Sequence, residues 1–324
     1  MKIEDLRIIY MGTPEFSVAP LEKLLVEGSR VVAVITAPDR PAGRGRKIKF
    51  SPIKEYALAH SLPVLQPENL KDPSFVEKLK ALEPDLQVVV AFRMLPEVVW
   101  SIPRLGTFNL HASLLPQYRG AAPINHAIIN VEKETGVTTF MIDEQIDTGN
   151  ILLREKTGIS HEETAGQLHD KLMVLGAGLV LETASRLARG DIRARSQEDF
   201  MTGDEVLKKA PKIRKEDCLI RWDQPGEHVY NLIRGLCPHP GAHTHLLKKG
   251  GGKVLCKVFA SRMEQKIHHE EPGQVQSDGK RFLKVAVSDG YLHILSIQQE
   301  GKRRMDIAEF LAGISPASFQ PRFS

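Results

Sequence analysis

The sequence has few cysteines and no long apolar run, and each absence excludes a class of protein. The three cysteines are an odd number and form no CxxC pair, so neither a disulfide framework nor a zinc knuckle is indicated. No apolar run reaches the ~18 residues needed to span a bilayer. The apolar run at residues 8–11 is too short for the core of a signal peptide. Together these features predict a cytoplasmic protein.

The glycine motifs that bind nucleotide cofactors are also missing. A predicted strand at residues 6–10 leads through a single glycine, Gly12, into a predicted helix. A dinucleotide fingerprint needs several glycines in that turn, and Glu15 at the start of the helix would repel a pyrophosphate. The pattern favours a plain strand-to-helix turn and makes a nicotinamide dehydrogenase a weak alternative.

The chain of 324 residues is long enough for two domains. Residues 1–190 alternate between short apolar runs and amphipathic stretches, which predicts a doubly wound, Rossmann-like α/β domain with a parallel sheet. Strands are predicted at residues 6–10, 31–35, 86–91, 107–110 and 138–142, and helices at residues 17–27, 51–62, 74–82 and 164–189.

The pattern changes after residue 190. Residues 191–210 have few apolar positions and are predicted to be a linker. Short strands separated by turns then predict a smaller OB-like β-barrel domain over residues 211–324. Those strands are expected at residues 218–222, 242–247, 253–259, 282–287 and 291–298, with one helix at residues 227–236.

Charge is distributed unevenly between the two parts. Residues 211–324 contain 18 Lys and Arg against 12 Asp and Glu, whereas residues 1–210 contain 26 against 28. A basic C-terminal part suits a polyanionic partner. A solvated basic surface would show the same composition, so charge alone leaves both interpretations open.

Polar side chains mark the end of the strand predicted at residues 107–110. Asn109 and His111 alternate with apolar residues, so both point to one face of the strand. Ligands of open α/β sheets bind at the carboxyl ends of the strands. Further on, Asp147 precedes Thr-Gly in a turn. A structural histidine and a turn aspartate remain the alternatives for residues considered one at a time.

The run Asn-Leu-His-Ala-Ser-Leu-Leu-Pro-Gln-Tyr-Arg-Gly-Ala-Ala-Pro at residues 109–123, with Asp-Thr-Gly at residues 147–149, resembles the folate-dependent formyltransferase superfamily. The basic loop at residues 36–47 and the stretches at residues 212–222, 233–242 and 298–305 are similar to the branch that formylates methionine on initiator tRNA. The resemblance covers nearly the whole chain.

The resemblance implies a mechanism in which an amine attacks the formyl carbon of the co-substrate 10-formyltetrahydrofolate, without a metal. Asn109 and His111 would donate to the developing oxyanion, and Asp147 would pair with His111 and take the proton of the amine. The folate contacts implied are Ser113, Leu114, Leu115, Pro116 and Phe92, with residues 88–92 lining the pterin pocket. Arg93 follows Phe92 where many members of the family carry Tyr-Gly, so its side chain would lie at the pocket rim or point outward.

The resemblance also implies that initiator methionyl-tRNA is the partner and that the basic loop contacts it. The loop residues concerned are Arg40, Arg44, Arg46 and Lys47, and Arg44 aligns with the most important arginine of that branch. Nothing in the sequence demands more than a monomer. The C-terminal candidates for phosphate contacts are Arg214, Lys215, Arg234, Lys248, Lys249 and Arg303.

Other functions share some of these features. Formyl transfer to glycinamide ribonucleotide or to an amino sugar, and hydrolysis of formyl-folate, would use the same Asn-His-Asp set, but they would lack the basic loop and the basic barrel. An RNA-binding module with a decayed α/β domain would not retain that set.

Overall fold

The computed structural model describes residues 2–42, 47–201, 203, 206–249, 251–313 and 319–323. The chain divides into two compact units. Unit 1 comprises Met1–Pro123, Glu134–Gly158 and His169–Pro211, and unit 2 comprises Ile124–Lys133, Ile159–Leu168 and Lys212–Ser324. No helix in the described ranges is both long enough and apolar enough to cross a membrane.

The chain up to residue 211 contains helices and strands in alternation. The strands are β1 Arg7–Gly12, β2 Arg30–Ile35, β3 Arg40–Ala42, β4 Lys47–Lys49, β5 Val64–Leu65, β6 Leu86–Val90, β7 Thr107–His111, β8 Arg119–Gly120, β9 Glu134–Met141, β10 Ile151–Gly158 and β11 Lys209–Ala210. The helices are α1 Val18–Val26, α2 Pro52–Ala59, α3 Pro73–Ala81, α4 Glu97–Trp100, α5 Pro123–Ile129 and α6 Ala165–Arg189.

Unit 1 is built on a sheet with the strand order β10-β9-β7-β6-β1-β2-β5. Strands β7, β6, β1, β2 and β5 pair in parallel, which confirms the predicted α/β class. Strands β9 and β10 are antiparallel additions at one edge. All five residues of β6 are buried, as its continuous apolar run requires of a strand covered on both faces.

Two helices begin where local sequence signals place them. The Ser51 hydroxyl accepts a hydrogen bond from the Lys54 amide at 3.3 Å, and Pro52 occupies the first turn of α2. Asp72 caps α3 in the same manner, ahead of Pro73. A side-chain acceptor followed by proline satisfies the free amides of the first turn and presets its backbone.

The helices after residue 211 are α7 Gly226–Gly235 and α8 Ile307–Ala312, and the strands are β12 Ala242–Lys248, β13 Lys253–Gln265, β14 Val275–Ser277, β15 Leu283–Val287, β16 Gly290–Gln299, β17 Met305–Asp306 and β18 Phe319–Phe323. The strands of unit 2 form an antiparallel sheet in the order β14-β15-β16-β13-β12-β18, with β17 paired to β16. A bridge between Gln274 and Arg322 joins the two ends of this order, so the sheet closes into the predicted barrel.

The strand predicted at residues 218–222 is wrong. The chain forms a 3-10 turn at Glu216–Cys218, and only a single bridge from Leu219 to His243 follows it. Cys218, Ile220 and Trp222 are buried on one side, so the alternation of apolar and polar residues is real. It arises from packing on the barrel core, where the Trp222 indole donates to Thr244 Oγ1 at 3.0 Å.

Arg234 is not a surface residue, contrary to its place among the predicted phosphate contacts. It is buried in unit 2, where Nε donates to Asn231 Oδ1 at 2.7 Å and Nη1 donates to the Glu163 carbonyl at 2.8 Å. Burial lowers the pKa of its guanidinium. Its donors serve the fold of unit 2.

Candidate active site

Strand β7 ends in two polar side chains on one face. Asn109 pairs with Val89 of β6 and Phe140 of β9 through the backbone and is half-buried, and His111 follows two residues later. Within the described residues the Asn109 side-chain amide has no hydrogen-bond partner. Its donors are therefore available to a ligand at the carboxyl edge of the sheet.

The imidazole of His111 is held by a backbone carbonyl. Nε2 lies 2.9 Å from the Tyr118 carbonyl oxygen, and because a carbonyl only accepts, Nε2 carries a proton. The other ring nitrogen, Nδ1, lies 3.8 Å from Asp147 Oδ2. Both side chains are largely buried, at 7% and 15% exposure. Nδ1 and the carboxylate therefore face each other across a gap longer than a hydrogen bond.

Asp147 is held from the other side by the Tyr-Arg-Gly turn. Its Oδ2 accepts the Gly120 amide at 2.9 Å. Its backbone has φ of +56°, in the left-handed region that is uncommon for residues with a side chain. Such conformations persist where neighbouring contacts impose them, and they cluster at functional sites.

The glycines next to these residues permit close backbone approach. A Cβ on Gly149 would lie 1.7 Å from the Met141 carbonyl oxygen. A Cβ on Gly120 would lie 2.3 Å from the Ala210 carbonyl oxygen, and its φ is +127°. The sequence motifs Asp-Thr-Gly and Tyr-Arg-Gly therefore describe two turns that pack tightly against neighbouring backbone.

The residues predicted to contact folate lie in the turn that leaves β7. The Ser113 hydroxyl donates to the Gln117 carbonyl at 2.6 Å, and the Thr138 hydroxyl donates to the Ser113 carbonyl at 2.6 Å. Leu115 is buried against Phe140. Pro116 is buried and Leu114 is half-buried. Thr138 of β9 thus fixes this turn. The sequence could not predict this contact, because a threonine within a strand carries no signal of its partner.

Phe92 lies after β6, at the same edge of the sheet, and packs against the apolar cluster that contains Val89. The neighbouring Arg93 turns its guanidinium to the 67–68 loop, donating to the carbonyls of Glu68, at 2.9 Å, and of Pro67. Desolvation, and after it the positive charge of Arg40, lowers the pKa of Arg93. Arg93 thus ties two loops together beside Phe92.

The basic loop starts from a short hairpin. Strands β3 and β4 pair at Arg40 with Lys49, and Arg40 is exposed. Arg44 and Arg46 lie outside the described residues, and Lys47 is described only through its backbone in β4.

A polar cluster anchors the base of that hairpin. Lys54 Nζ lies 2.5 Å from Asp39 Oδ2, and Gln66 Nε2 donates to Asp39 Oδ1 at 2.9 Å. The hydrogen bonds from Lys54 and Gln66 hold the pKa of the Asp39 carboxyl below its usual range. Asp39, the single acid of the loop, is therefore bound to Lys54 and Gln66 at the base of the hairpin.

The described residues of the segment 191–210, predicted as a linker, make contacts within unit 1. Strand β11 pairs in parallel with β8 of the Tyr-Arg-Gly turn, and the Tyr118 amide donates to the Lys208 carbonyl at 2.7 Å.

Among the residues with described placement, no group of three or more His, Cys, Asp or Glu is arranged to hold a metal ion.

Asn109 and His111 at the end of β7 and Asp147 beside His111 place hydrogen-bond donors and a carboxylate together, as an enzyme that transfers an acyl-type group requires. The sequence matches the family described as formyl transferase over residues 6–183 and the formyl transferase C-terminal domain over residues 212–315. The chain therefore belongs to the formyl transferase family.

Its curated relatives include the methionyl-tRNA formyltransferase of Bacteroides fragilis, 53% identical over 97% of this chain and 96% of the relative. That of Flavobacterium johnsoniae is 51% identical over 97% of this chain and 98% of the relative. Among solved structures, an N-formyltransferase from Helicobacter canadensis, in complex with folinic acid and dTDP-3-aminofucose, shares the fold with a TM-score of 0.63, 19% identity and coverage of 93% and 100%. HypX from Aquifex aeolicus, in complex with tetrahydrofolic acid, has a TM-score of 0.64 and 18% identity to this chain. The match covers 98% of this chain and 51% of the HypX chain.

Proposed function

We propose that this enzyme transfers the formyl group of 10-formyltetrahydrofolate to the amino group of methionine carried on initiator tRNA, and that it acts in the cytoplasm as a monomer. The main support is the placement of Asn109 and His111 on one face at the end of β7, with the Asp147 carboxylate 3.8 Å from the His111 ring. A relative with the name methionyl-tRNA formyltransferase, 53% identical over 97% of this chain, supports the choice of acceptor.

Two hydrogen-bond donors stabilise the formyl oxygen as the amine attacks the formyl carbon. The carbonyl oxygen becomes an oxyanion, which the free amide of Asn109 and the Nδ1–H of a protonated His111 can stabilise. Because Nε2 of His111 is committed to Tyr118, Nδ1, on the side of Asp147, is the ring nitrogen left to donate to the oxyanion. Donors placed for the transition state are worth more than donors placed for the ground state.

Asp147 handles the proton. The attacking nitrogen gains a positive charge as its bond to the formyl carbon forms, and it must lose a proton before the bond from that carbon to the folate nitrogen breaks. The Asp147 carboxylate accepts this proton, directly or through one water. The departing folate nitrogen takes up a proton, which leaves tetrahydrofolate and the formylated amine.

Acceptor choice is assigned to the basic loop. Arg40 is exposed at the hairpin, and the acid beside it is bound to Lys54. Arg44, Arg46 and Lys47 complete a run of cations that suits the phosphates of an RNA end. Glycinamide ribonucleotide carries a single phosphate and would gain less from such a loop than an RNA end with several phosphates.

A formyl-transfer assay with three acceptors tests this function. Purified enzyme and 10-formyltetrahydrofolate are mixed in parallel with methionine-charged initiator tRNA, with glycinamide ribonucleotide and with water alone. Formylated methionyl-tRNA is the expected product. Product on the small amine, or release of tetrahydrofolate without any acceptor, would retain the folate chemistry and overturn the acceptor.

Replacing Arg44 by alanine is expected to raise KM for charged tRNA roughly ten-fold, the loss of about one charge-assisted hydrogen bond. The slope of log KM against log salt should fall by about one, while KM for the folate stays unchanged. Arg40→Ala should act in the same direction. Lys78→Ala, which removes an exposed cation on α3, is the control. An unchanged tRNA KM in both loop variants would contradict the role of the loop.

A further inference from the structure

A buried glutamine contacts the loop that carries Asp147. Gln197 is 4% exposed and opens a 3-10 turn at Gln197–Phe200. Its Nε2 donates to the Asp147 carbonyl at 2.9 Å and to the Gly149 carbonyl at 2.9 Å. Its Oε1 accepts from Arg119 Nε at 3.0 Å and Nη2 at 2.7 Å.

The chemistry of the partners fixes which way this amide points. The Arg119 guanidinium only donates, so the amide oxygen must face it, and two backbone carbonyls only accept, so the NH2 group must face them. Both amide hydrogens and the oxygen are used. A buried amide with every partner in place holds its neighbours rigidly.

We propose that Gln197 is a positioning residue for formyl transfer, which holds the left-handed backbone of Asp147 so that its carboxylate stays between the Gly120 amide and His111. The inference rests on the proposed function for its kinetic consequence. Two hydrogen bonds hold Asp147: its backbone carbonyl accepts from Gln197, and its Oδ2 accepts from the Gly120 amide. Without Gln197 the turn loses the contacts that impose a φ of +56°.

Arg119 connects Gln197 to the turn that contains Gly120. It precedes Gly120 in β8 and binds Gln197 through two nitrogens, so the turn that receives the Asp147 carboxylate also orients the glutamine that holds the Asp147 backbone. A closed ring of contacts results, in which moving Gln197 displaces the carboxylate from His111.

Two substitutions separate this role from a general contribution to stability. Gln197→Glu keeps the size and the contact with Arg119, but it places a carboxylate oxygen against two carbonyl oxygens. Gln197→Met removes every hydrogen bond at nearly the same length. The matched control is Ser196→Ala, which removes the cap of the same turn, where Ser196 Oγ accepts the Glu198 amide at 3.3 Å, and leaves the contacts of Gln197 intact.

Steady-state kinetics give the first result. Both Gln197 variants should lower kcat roughly 10- to 100-fold, as expected of a small misplacement near reacting groups, with KM for folate and for tRNA changed less than about three-fold. In an Asp147→Asn background, Gln197→Met should lower kcat by less than about three-fold, because residues that act as one unit are not additive.

Amide hydrogen exchange gives a second result that does not depend on activity. The Gly120 amide donates to Asp147, whereas the Tyr118 and Ala122 amides donate to the Lys208 and Ala210 carbonyls. In both Gln197 variants the Gly120 amide should exchange roughly ten-fold faster or more, while the Tyr118 and Ala122 amides keep their protection. Ser196→Ala should change neither the exchange nor kcat by more than about two-fold.

The results of these measurements distinguish a positioning role of Gln197 from a structural one. Unchanged kcat and Gly120 exchange in Gln197→Glu and Gln197→Met would overturn the proposal. Equal effects in Ser196→Ala, or loss of protection at all three amides, would reduce Gln197 to a structural residue and overturn it as well. If the wild-type enzyme fails to formylate charged tRNA, the proposed function falls, whereas the exchange of Gly120 still decides whether Gln197 positions Asp147.

Discussion

Replacing His111 by alanine is expected to lower the single-turnover rate of formyl transfer by at least about 10²–10³-fold, which corresponds to about 2.7–4 kcal/mol of transition-state stabilisation. The substitution removes the Nδ1 donor and the partner of Asp147. It also frees the Tyr118 carbonyl, so folding should be checked by circular dichroism and thermal unfolding.

Two further variants make the His111 result interpretable. His111→Gln retains a neutral donor and should lose less activity than alanine does. His60→Ala removes an exposed imidazole at the end of α2, whose Nδ1 faces the Tyr56 carbonyl, and should stay within about two-fold of wild type. Near-normal turnover by a folded His111→Ala enzyme would remove His111 from the catalytic set.

Asp147→Asn is expected to be about as damaging as the change at His111, again roughly 10²–10³-fold. Asparagine keeps the shape and an oxygen that can accept the Gly120 amide, so the turn should remain. It cannot take the proton of the attacking amine. The rate of the chemical step should fall while KM for both substrates stays close to that of the wild type.

The control for Asp147 lies in the same loop. Asp143 is exposed, and its Oδ1 accepts from the Gln145 amide at 3.0 Å and the Thr148 hydroxyl at 2.8 Å. Asp143→Asn should cost less than about five-fold, because it affects only the local turn. A mild effect of Asp147→Asn, comparable to that of Asp143→Asn, would reduce Asp147 to a turn residue.

The parts of the fold with clear local sequence signals could be predicted. The apolar run before Phe92 gave a buried strand, and Ser51 with Pro52 gave a helix start. Strand β10 could not be predicted, because its burial alternates poorly and its register depends on β9. Residues 218–222 are wrongly predicted as a strand, because their alternation of apolar and polar residues reflects packing on a core and not pairing with a neighbouring strand.

The candidate site also contains residues whose positions could be predicted and residues whose positions could not. Asn109 and His111 could be placed on one face because they stand two apart in a strand. The position of Asp147 relative to His111 depends on turns closed by Gly120 and Gly149, whose geometry no local pattern encodes. Gln197 contacts Asp147 from 50 residues away, in a segment with little periodicity, and only the folded structure joins them.

The most direct test of the central claim, that His111 and Asp147 perform the transfer together, is a double-mutant cycle on formylation of charged initiator tRNA. Single-turnover rates are measured for wild type, His111→Ala, Asp147→Asn and the double variant. If the two residues act as one unit, the double variant should be only about as slow as the slower single variant. Fully additive losses would mean that the two side chains act independently, and wild-type-like rates in both single variants would place the chemistry elsewhere.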